Sequence, residues 1–437
     1  MINSVLVFGD DLGVPQSIKH LPSRIICGIV VAEIRPHQHK PPQDLAERMH
    51  IPCLIQPRVS FPEYPAFVEK VRQINPDLIF VNSYSMLLRP EVLAIPRYGA
   101  VNVHGALLPE YRGPNPTQWA LLNDETETGV TMHYMDEHFD TGEIIAQRRV
   151  PIYFDDTWRD IQAHISVETD KMLEEEIPKL LAGTNTRRPQ DESRAKKWPR
   201  RHPEDGQIDW HQSVHYIYNL VRALVKPYPG AFYVDVSGKH TVLDEYLTIP
   251  QVTALKYGQE GGQALRTGHV ALTPLCIDDL PALVAWLNER EQVLFNAPYK
   301  PIHESQHQAW FEGIQARNDV VIFGIRLLTD RKLIGSCQLH SVDHVHRSAE
   351  LQIRIGNTSQ RGRGYGLEAV RLLLEFAFND LNLHRVYLHV FSTNTAAIRL
   401  YEKAGFKKEG MLREAAHING KYIDVAVMGI LRDEHEP

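Results

Sequence analysis

Short apolar runs separated by longer mixed stretches open the chain. Four of them are Val5–Phe8, Ile25–Val31, Leu78–Val81 and Val101–Val103. Their alternation with helical or loop sequence is typical of a parallel α/β sheet. The turn at Gly9–Gly13 lacks the Gly-x-Gly-x-x-Gly fingerprint, so this sheet need not bind a dinucleotide.

Two helices are predicted after the sheet. Apolar residues at helical spacing within Asp156–Leu181 indicate a helix that packs on the sheet. Asp209 is the predicted N-cap of a second helix. The apolar face of that helix is Val214, Ile217, Val221 and Leu224.

Composition and length place the chain among globular proteins. A length of 437 residues predicts two or three domains, and a net charge of −7 gives no general attraction to nucleic acid or to anionic membranes. We see no signal peptide and no run long enough to span a bilayer, so we expect a cytoplasmic protein. The motif His-Glu-x-x-His at His303–His307 has no third ligand downstream, and no metal site is predicted.

Candidate chemistry follows the last of the four runs. Asn102 and His104 end a predicted strand, and Asp140 follows 36 residues after His104. An amide and a protonated imidazole can stabilise an oxyanion, while a carboxylate can orient the imidazole and accept an amine proton directly or through water. Such residues fit a cleft at the carboxyl ends of strands.

The run from Val101 to Ile145 resembles the 10-formyltetrahydrofolate-dependent formyltransferases across its length, including Leu107-Leu108-Pro109 and Tyr111-Arg112-Gly113. The resemblance implies formyl transfer to an amine, with Asn102, His104 and Asp140 as catalytic residues. It also implies folate contacts from the loop after Leu78–Val81, rather than an ordinary strand-to-helix loop. The implied folate-binding residues are Asn82, Tyr84, Ser85, Met86 and Leu87.

A basic stretch between Arg187 and Arg201 leaves two interpretations open. It is either a solvated interdomain linker or an edge that holds the phosphates of a nucleotide or the folate tail. Beyond it, Pro203–Trp210 and Tyr218–Phe232 resemble the small C-terminal subdomain of the same formyltransferases, particularly those that act on nucleotide-linked sugars.

The last part of the chain carries a glycine-rich turn between a predicted strand, Leu351–Ile355, and a predicted helix. Glycines let backbone N–H groups approach a pyrophosphate, and a helix N-terminus favours negative charge. A second strand, Arg385–Val390, leads into Asn394. The residues of the turn are Arg361, Gly362, Arg363, Gly364, Tyr365 and Gly366.

Residues 266–433 resemble the GCN5-related N-acetyltransferases (GNAT). The resemblance implies that the glycine-rich turn and Asn394 bind acetyl-coenzyme A and that Tyr401 protonates the departing thiolate. Tyr401 as a half-buried packing residue is the alternative. Glu350 is a candidate base that acts through water.

We therefore expect an α/β protein: a Rossmann-like formyltransferase domain with a small C-terminal subdomain, followed by a GNAT-fold α/β domain. The predicted boundaries are 1–190 for the catalytic domain, 191–255 for the subdomain, 256–265 for a glycine-rich linker and 266–437 for the acetyltransferase.

The expected function is bifunctional: formylation of a nucleotide-linked amino sugar from N10-formyltetrahydrofolate, and acetylation of an amine from acetyl-CoA. The alternatives are a peptide-like or hydroxylamine formyl acceptor, a methionyl-tRNA formyltransferase-like enzyme, and an acetyltransferase half that only binds acetyl-CoA. Expected partners are small-molecule substrates and a second copy of the chain in a homodimer, without nucleic acid, membrane or metal.

Overall fold

The computed structural model describes residues 2–258, 265–290 and 300–435. They form two compact units. Unit 1 contains the residues up to Gly206 and Ala223–Pro229; unit 2 contains Gln207–Arg222 and the residues from Gly230 onward. No helix of the described residues is long and apolar enough to cross a membrane.

Unit 1 is built on one sheet in the order β3-β2-β1-β4-β5-β6-β7. The first five strands are parallel, as the apolar runs predict, and β6 and β7 are antiparallel. The strands are β1 (Val5–Gly9), β2 (Ile26–Ala32), β3 (Cys53–Gln56), β4 (Leu78–Asn82), β5 (Ala100–His104), β6 (Glu127–Tyr134) and β7 (Ile144–Pro151).

Helices cover both faces of this sheet because its central strands carry apolar side chains on both faces. Val5 and Val7 pack in the cluster with α6, whereas Leu6 and Phe8 pack in the cluster with α3. The helices of this part of the chain are α1 (Gly13–His20), α2 (Lys40–Met49), α3 (Tyr64–Ile74), α4 (Pro90–Leu93), α5 (Pro116–Leu122) and α6 (Trp158–Ala182).

The helix predicted at Asp156–Leu181 is confirmed as α6, which begins after a capping box formed by Thr157 and Asp160. The predicted cap at Asp209 is wrong. The next helix, α7 (Val214–Ala223), begins after Ser213, whose hydroxyl accepts from Tyr216 N, while Asp209 accepts from His211 N in the preceding turn. Its apolar face is buried as predicted.

Unit 2 contains an eight-stranded sheet in the order β10-β11-β12-β13-β14-β15-β17-β16 and a separate hairpin of β8 and β9. Its strands are β8 (Ala231–Val234), β9 (His240–Leu243), β10 (Leu265–Thr267), β11 (Val270–Pro274), β12 (Val320–Leu327), β13 (Leu333–Asp343), β14 (Ser348–Ile355), β15 (Arg385–Phe391), β16 (Lys407–Ile418) and β17 (Lys421–Leu431). The helices after α7 are α8 (Ile249–Tyr257), α9 (Leu280–Asn288), α10 (Glu304–Gln315), α11 (Tyr365–Glu375) and α12 (Thr395–Lys403).

A buried ion pair connects α7 and α8 to the segment that follows α11. Lys256 Nζ lies 2.7 Å from Asp380 Oδ1 in the turn after α11, and Asp380 also accepts from Val214 N and from the Tyr257 hydroxyl. The two charged side chains are 3% and 10% exposed. Lys256 and Tyr257, the first residues of the predicted linker, thus belong to a helix, and 259–264 lie outside the described residues.

We predict that Lys256→Met destabilises unit 2 by about 3–5 kcal/mol, because the substitution leaves the Asp380 carboxylate buried without its cation. The matched control is Lys407→Met, which removes an exposed lysine paired with Glu434 and should change stability little. Calorimetric thermal unfolding of both variants gives the comparison. Equal effects of the two substitutions would contradict the importance of the buried pair.

Candidate functional site

The carboxyl end of β5 presents Asn102 and His104 between β4 and β6. The His104 side chain is 9% exposed, and its Nε2 lies 2.7 Å from the Tyr111 carbonyl oxygen. A carbonyl can only accept, which assigns a proton to Nε2. Nδ1 is then the nitrogen that faces Asp140, at 3.8 Å from Oδ1.

Asp140 is shared between two histidines and a backbone amide. Its Oδ1 lies 3.6 Å from His133 Nε2 as well as near His104, and its Oδ2 accepts from Gly113 N at 2.9 Å. Burial raises the pKa of this carboxyl, but attraction to His104 and the contacts with His133 and Gly113 outweigh it and hold the pKa well below its usual range. Asp140 is therefore ionised at neutral pH.

The loop that carries Asp140 is held in an unusual backbone conformation. Asp140 has a φ of 57°, and its carbonyl and that of Gly142 both accept from Gln190 Nε2 at 2.8 Å. A Cβ at Gly142 would lie 1.9 Å from the Tyr134 carbonyl oxygen. Only glycine permits this approach, which turns Asp140 toward the histidines.

His133 is a member of this site that the sequence analysis missed. Its Nδ1 lies 2.7 Å from the Tyr134 carbonyl oxygen and so carries a proton, and its Nε2 lies 3.2 Å from Asn102 Nδ2 and 3.6 Å from Asp140 Oδ1. Asn102 keeps one amide N–H for another acceptor. Because His133 is opposite Asn102 across the β5–β6 ladder, only knowledge of strand register would have identified it.

The predicted folate loop follows β4, at the same sheet edge as His104. Asn82 pairs with Val103 in the β4–β5 register, but its side chain points to the β1–α1 turn, where it donates to Gly13 O and Ser17 Oγ. The Tyr84 hydroxyl donates to Gln56 at 2.8 Å. Ser85, Met86 and Leu87 are half-buried. The loop therefore offers these last three residues and its backbone at the edge.

The basic stretch runs alongside the loop that precedes Gly113. Lys196 exchanges two backbone hydrogen bonds with Pro109 and Arg112, and the Arg112 side chain pairs with Gln190 and Glu192. Arg194 forms an ion pair with Glu110. The stretch is thus docked on the Asp140 site, and several of its cations are exposed: Lys196, Lys197 and Arg200.

A second candidate site lies in unit 2, where two neighbouring strands separate. β14 and β15 pair in parallel through three residues, the last being Glu350 opposite Tyr387. The rest of β14, from Leu351 to Ile355, has no partner on that side among the described strands. Glu350 lies where the strands part, and its Oε1 is 2.8 Å from His389 Nδ1. The free strand edge offers backbone groups to a ligand.

The glycine-rich turn connects the free end of β14 to α11. Gly362 and Gly364 have φ values of 74° and 87°, and a Cβ at either would meet nothing within 4 Å, so the turn is open. Arg361 donates from Nε to Ile355 O at 3.0 Å. Gly366 is buried in the first turn of α11, and the exposed Arg363 and half-buried Tyr365 complete the turn.

Asn394 and Tyr401 belong to the next helix, α12. Asn394 is its N-cap and accepts from Ala397 N at 3.2 Å. Tyr401 is 8% exposed and packs edge-on against Phe406. Burial raises the pKa of Tyr401 to about 12, so the hydroxyl keeps its proton at neutral pH.

His303 and His307 have other roles than metal binding in the structure. His303 is the N-cap of α10, where its ring accepts from Ser305 N, and His307 stacks on Trp310 with ring centroids 4.6 Å apart. Within the ranges that the structure describes, no group of three or more His, Cys, Asp or Glu side chains is arranged to hold a metal ion.

Three family models match successive parts of the chain. Residues 30–177 match the formyl transferase family, 201–268 match the formyl transferase C-terminal domain, and 269–407 match the acetyltransferase (GNAT) domain. The fold class and the double family resemblance predicted from the sequence are confirmed. The segment that matches the formyl transferase C-terminal domain lies mostly in unit 2, together with the acetyltransferase sheet.

Solved structures similar to the chain include the spermidine N-acetyltransferase from Vibrio cholerae in complex with CoA and spermine. That enzyme is 33% identical over 38% of this chain and 96% of its own, with a TM-score of 0.36. A chimera of the Vibrio cholerae enzyme is 30% identical over 38% of this chain and 97% of its own, with a TM-score of 0.35.

We predict that Gly142→Ala lowers formyl transfer at least tenfold, because the added Cβ must move the loop that carries Asp140, and displacements on the order of 1 Å can cost about a hundredfold in rate. Gly410→Ala is the matched control, since its Cβ would meet nothing within 4 Å. Both are compared by the rate of formyl product formation. Wild-type activity in Gly142→Ala would show that the loop does not need its present position.

Proposed function

The chain joins formyl transferase N- and C-terminal domains to a GNAT acetyltransferase domain, and we propose that both halves acylate amines of nucleotide-linked amino sugars. The first half would use N10-formyltetrahydrofolate and the second acetyl-CoA. The observation that carries the formyl half is the ionised Asp140 between His104 and His133, with Asn102 in contact with His133.

The carboxyl edge of the unit 1 sheet fits a folate donor, which would supply an activated formyl group. Ser85, Met86 and Leu87 lie at the end of β4, beside the strand that carries Asn102 and His104. The free N–H of Asn102 and a proton on His104 Nδ1 would stabilise the negative charge that develops on the formyl oxygen. Asp140 Oδ1, 3.8 Å from Nδ1, would be the counter-charge of the imidazolium.

Asp140 acts in this proposal mainly as an electrostatic partner. A carboxylate whose pKa is held far below its usual range is a weak base. We therefore propose that a water molecule next to Asp140 accepts the amine proton and that the carboxylate stays ionised.

The basic stretch supports a phosphate-bearing formyl acceptor. Lys196, Lys197 and Arg200 are exposed on a segment that is hydrogen-bonded to the loop before Gly113, so their charges lie on the same part of unit 1 as Asp140. The net charge of −7 and the confinement of these cations to one short segment favour a small phosphate-bearing molecule over a polynucleotide.

The acetyl half fits a coenzyme A donor, which would supply a thioester. The open turn with Gly362 and Gly364 can admit a pyrophosphate to backbone N–H groups, and the free edge of β14 can hydrogen-bond the donor's amide arm. Tyr401 would keep a proton for the departing thiolate, and Glu350 would accept the amine proton through water.

We predict that Asn102→Ala, His104→Ala and Asp140→Asn each reduce formyl transfer by at least about a hundredfold, because each removes part of the oxyanion site. Acetyl transfer should be unchanged. Mass spectrometry of UDP- and dTDP-linked amino sugars incubated with each donor measures both activities. His164→Ala, an exposed histidine on α6, is the control. Loss of acetyl transfer in the same variants would contradict two separate sites.

Tyr401→Phe should lower kcat for acetyl transfer by about ten- to a hundredfold and leave the KM for acetyl-CoA nearly unchanged, because the hydroxyl acts on the leaving group. Thiol release from acetyl-CoA is the assay, with Tyr422→Phe at an exposed tyrosine as control. Unchanged kcat in Tyr401→Phe would make Tyr401 a packing residue.

A further inference from the structure

A cavity of about 650 Å³ lies between helices α9 and α10 and strands β12–β14 of unit 2. Its volume falls within the range of small-molecule sites. One wall is formed by Gln352 and Arg354 on β14, the strand whose free edge is assigned to the acetyl donor. A molecule in this cavity would therefore touch the strand that the acetyl donor also touches, as an acetyl acceptor must.

The charges of the cavity have one sign. Of the lining residues that the structure describes, Lys300 and Arg354 are cationic and none is acidic. Arg354 has no carboxylate partner within 4 Å in the described ranges, and its Nε is buried without a hydrogen bond. Burial, followed by repulsion from Arg361, lowers the pKa of Arg354. A half-buried guanidinium whose Nε has no hydrogen-bond partner is suited to bind an anion.

Three aromatic or imidazole rings form part of the helical wall of the cavity. Trp286 and Trp310 line the cavity, and His307, 5% exposed, stacks on Trp310. His307 Nε2 is also buried and unpartnered among the described residues. Trp286 lies directly on Gly356, where a Cβ would come within 1.9 Å of the indole, so its position is fixed by the backbone after β14. These rings can stack on a planar group of a ligand.

We propose that this cavity binds the acetyl acceptor and selects an amine that carries a phosphate and a planar ring, with the phosphate on Arg354 and Lys300 and the ring against Trp286 or Trp310. A nucleotide-linked amino sugar has all three groups, so the inference rests on, and specifies, the proposed acetyl function. A polyamine is disfavoured, because two cations repel it and no described lining carboxylate pairs with it.

Steady-state thiol release by the full chain tests the selection. The acceptors are UDP- and dTDP-linked amino sugars, the same amino sugars without nucleotide, and spermidine. We expect the nucleotide-linked sugars to have the highest kcat/KM. Arg354→Gln should raise their KM roughly tenfold or more, and leave the KM for acetyl-CoA and the kcat/KM of the free amino sugars unchanged. Arg266→Gln, an exposed arginine on β10, should have no effect.

Three results would overturn the inference: spermidine as the best acceptor, equal effects of Arg354→Gln on nucleotide-linked and free amino sugars, or a raised KM for acetyl-CoA alone, which would place Arg354 on a donor phosphate. None of these three results would contradict the proposal that the second half transfers acetyl groups.

If the acetyl half turns over none of these acceptors, calorimetric titration measures the binding of the same nucleotide-linked sugars to the full chain. The formyl half and this cavity predict two sites in the wild type, one of which binds at least about tenfold more weakly in Arg354→Gln. A site weakened in the variant, without acetyl transfer, would support the cavity and refute the acetyl function. Identical isotherms for the two proteins would refute the cavity.

Discussion

The contact of one buried carboxylate with two imidazoles is the interaction on which the first half of the molecule depends. A carboxylate out of water is costly unless charges or hydrogen bonds replace its hydration. Asp140 obtains this compensation from His104, His133 and the Gly113 amide. The same contacts fix both histidines, and His133 in turn holds Asn102. The contacts that keep Asp140 ionised therefore also arrange the proposed oxyanion site.

The backbone around Asp140 holds its carboxylate next to the two histidines. The positive φ at Asp140, the close approach of Gly142 to Tyr134, and the two hydrogen bonds from Gln190 all maintain one loop conformation. In unit 2, β14 and β15 separate after Glu350, and the backbone groups of β14 beyond that residue have no strand partner on that side among the described strands. In both halves the candidate site lies where a strand ends or separates from its neighbour.

Sequence patterns predicted the strands and helices whose positions follow from the local spacing of apolar residues. The buried strands and the helix α6 follow from apolar spacing, and Asn102, His104 and Asp140 were identifiable by resemblance. His133 was not, because its role depends on its position opposite Asn102 across β5 and β6. Lys256 was expected in a linker, since its partner Asp380 lies 124 residues away. The error at Asp209 arose because Asp and Ser are both common N-caps, and of Asp209 and Ser213 only Ser213 lies next to the first turn of α7.

A double-mutant cycle on formyl transfer by His104→Ala and Asp140→Asn tests most directly whether Asp140 acts through the imidazole. Residues that act as one unit are strongly non-additive. The account predicts that the double variant retains about the same kcat/KM as the more impaired single variant. Losses that multiply in the double variant would contradict it, since Asp140 would then contribute independently of His104.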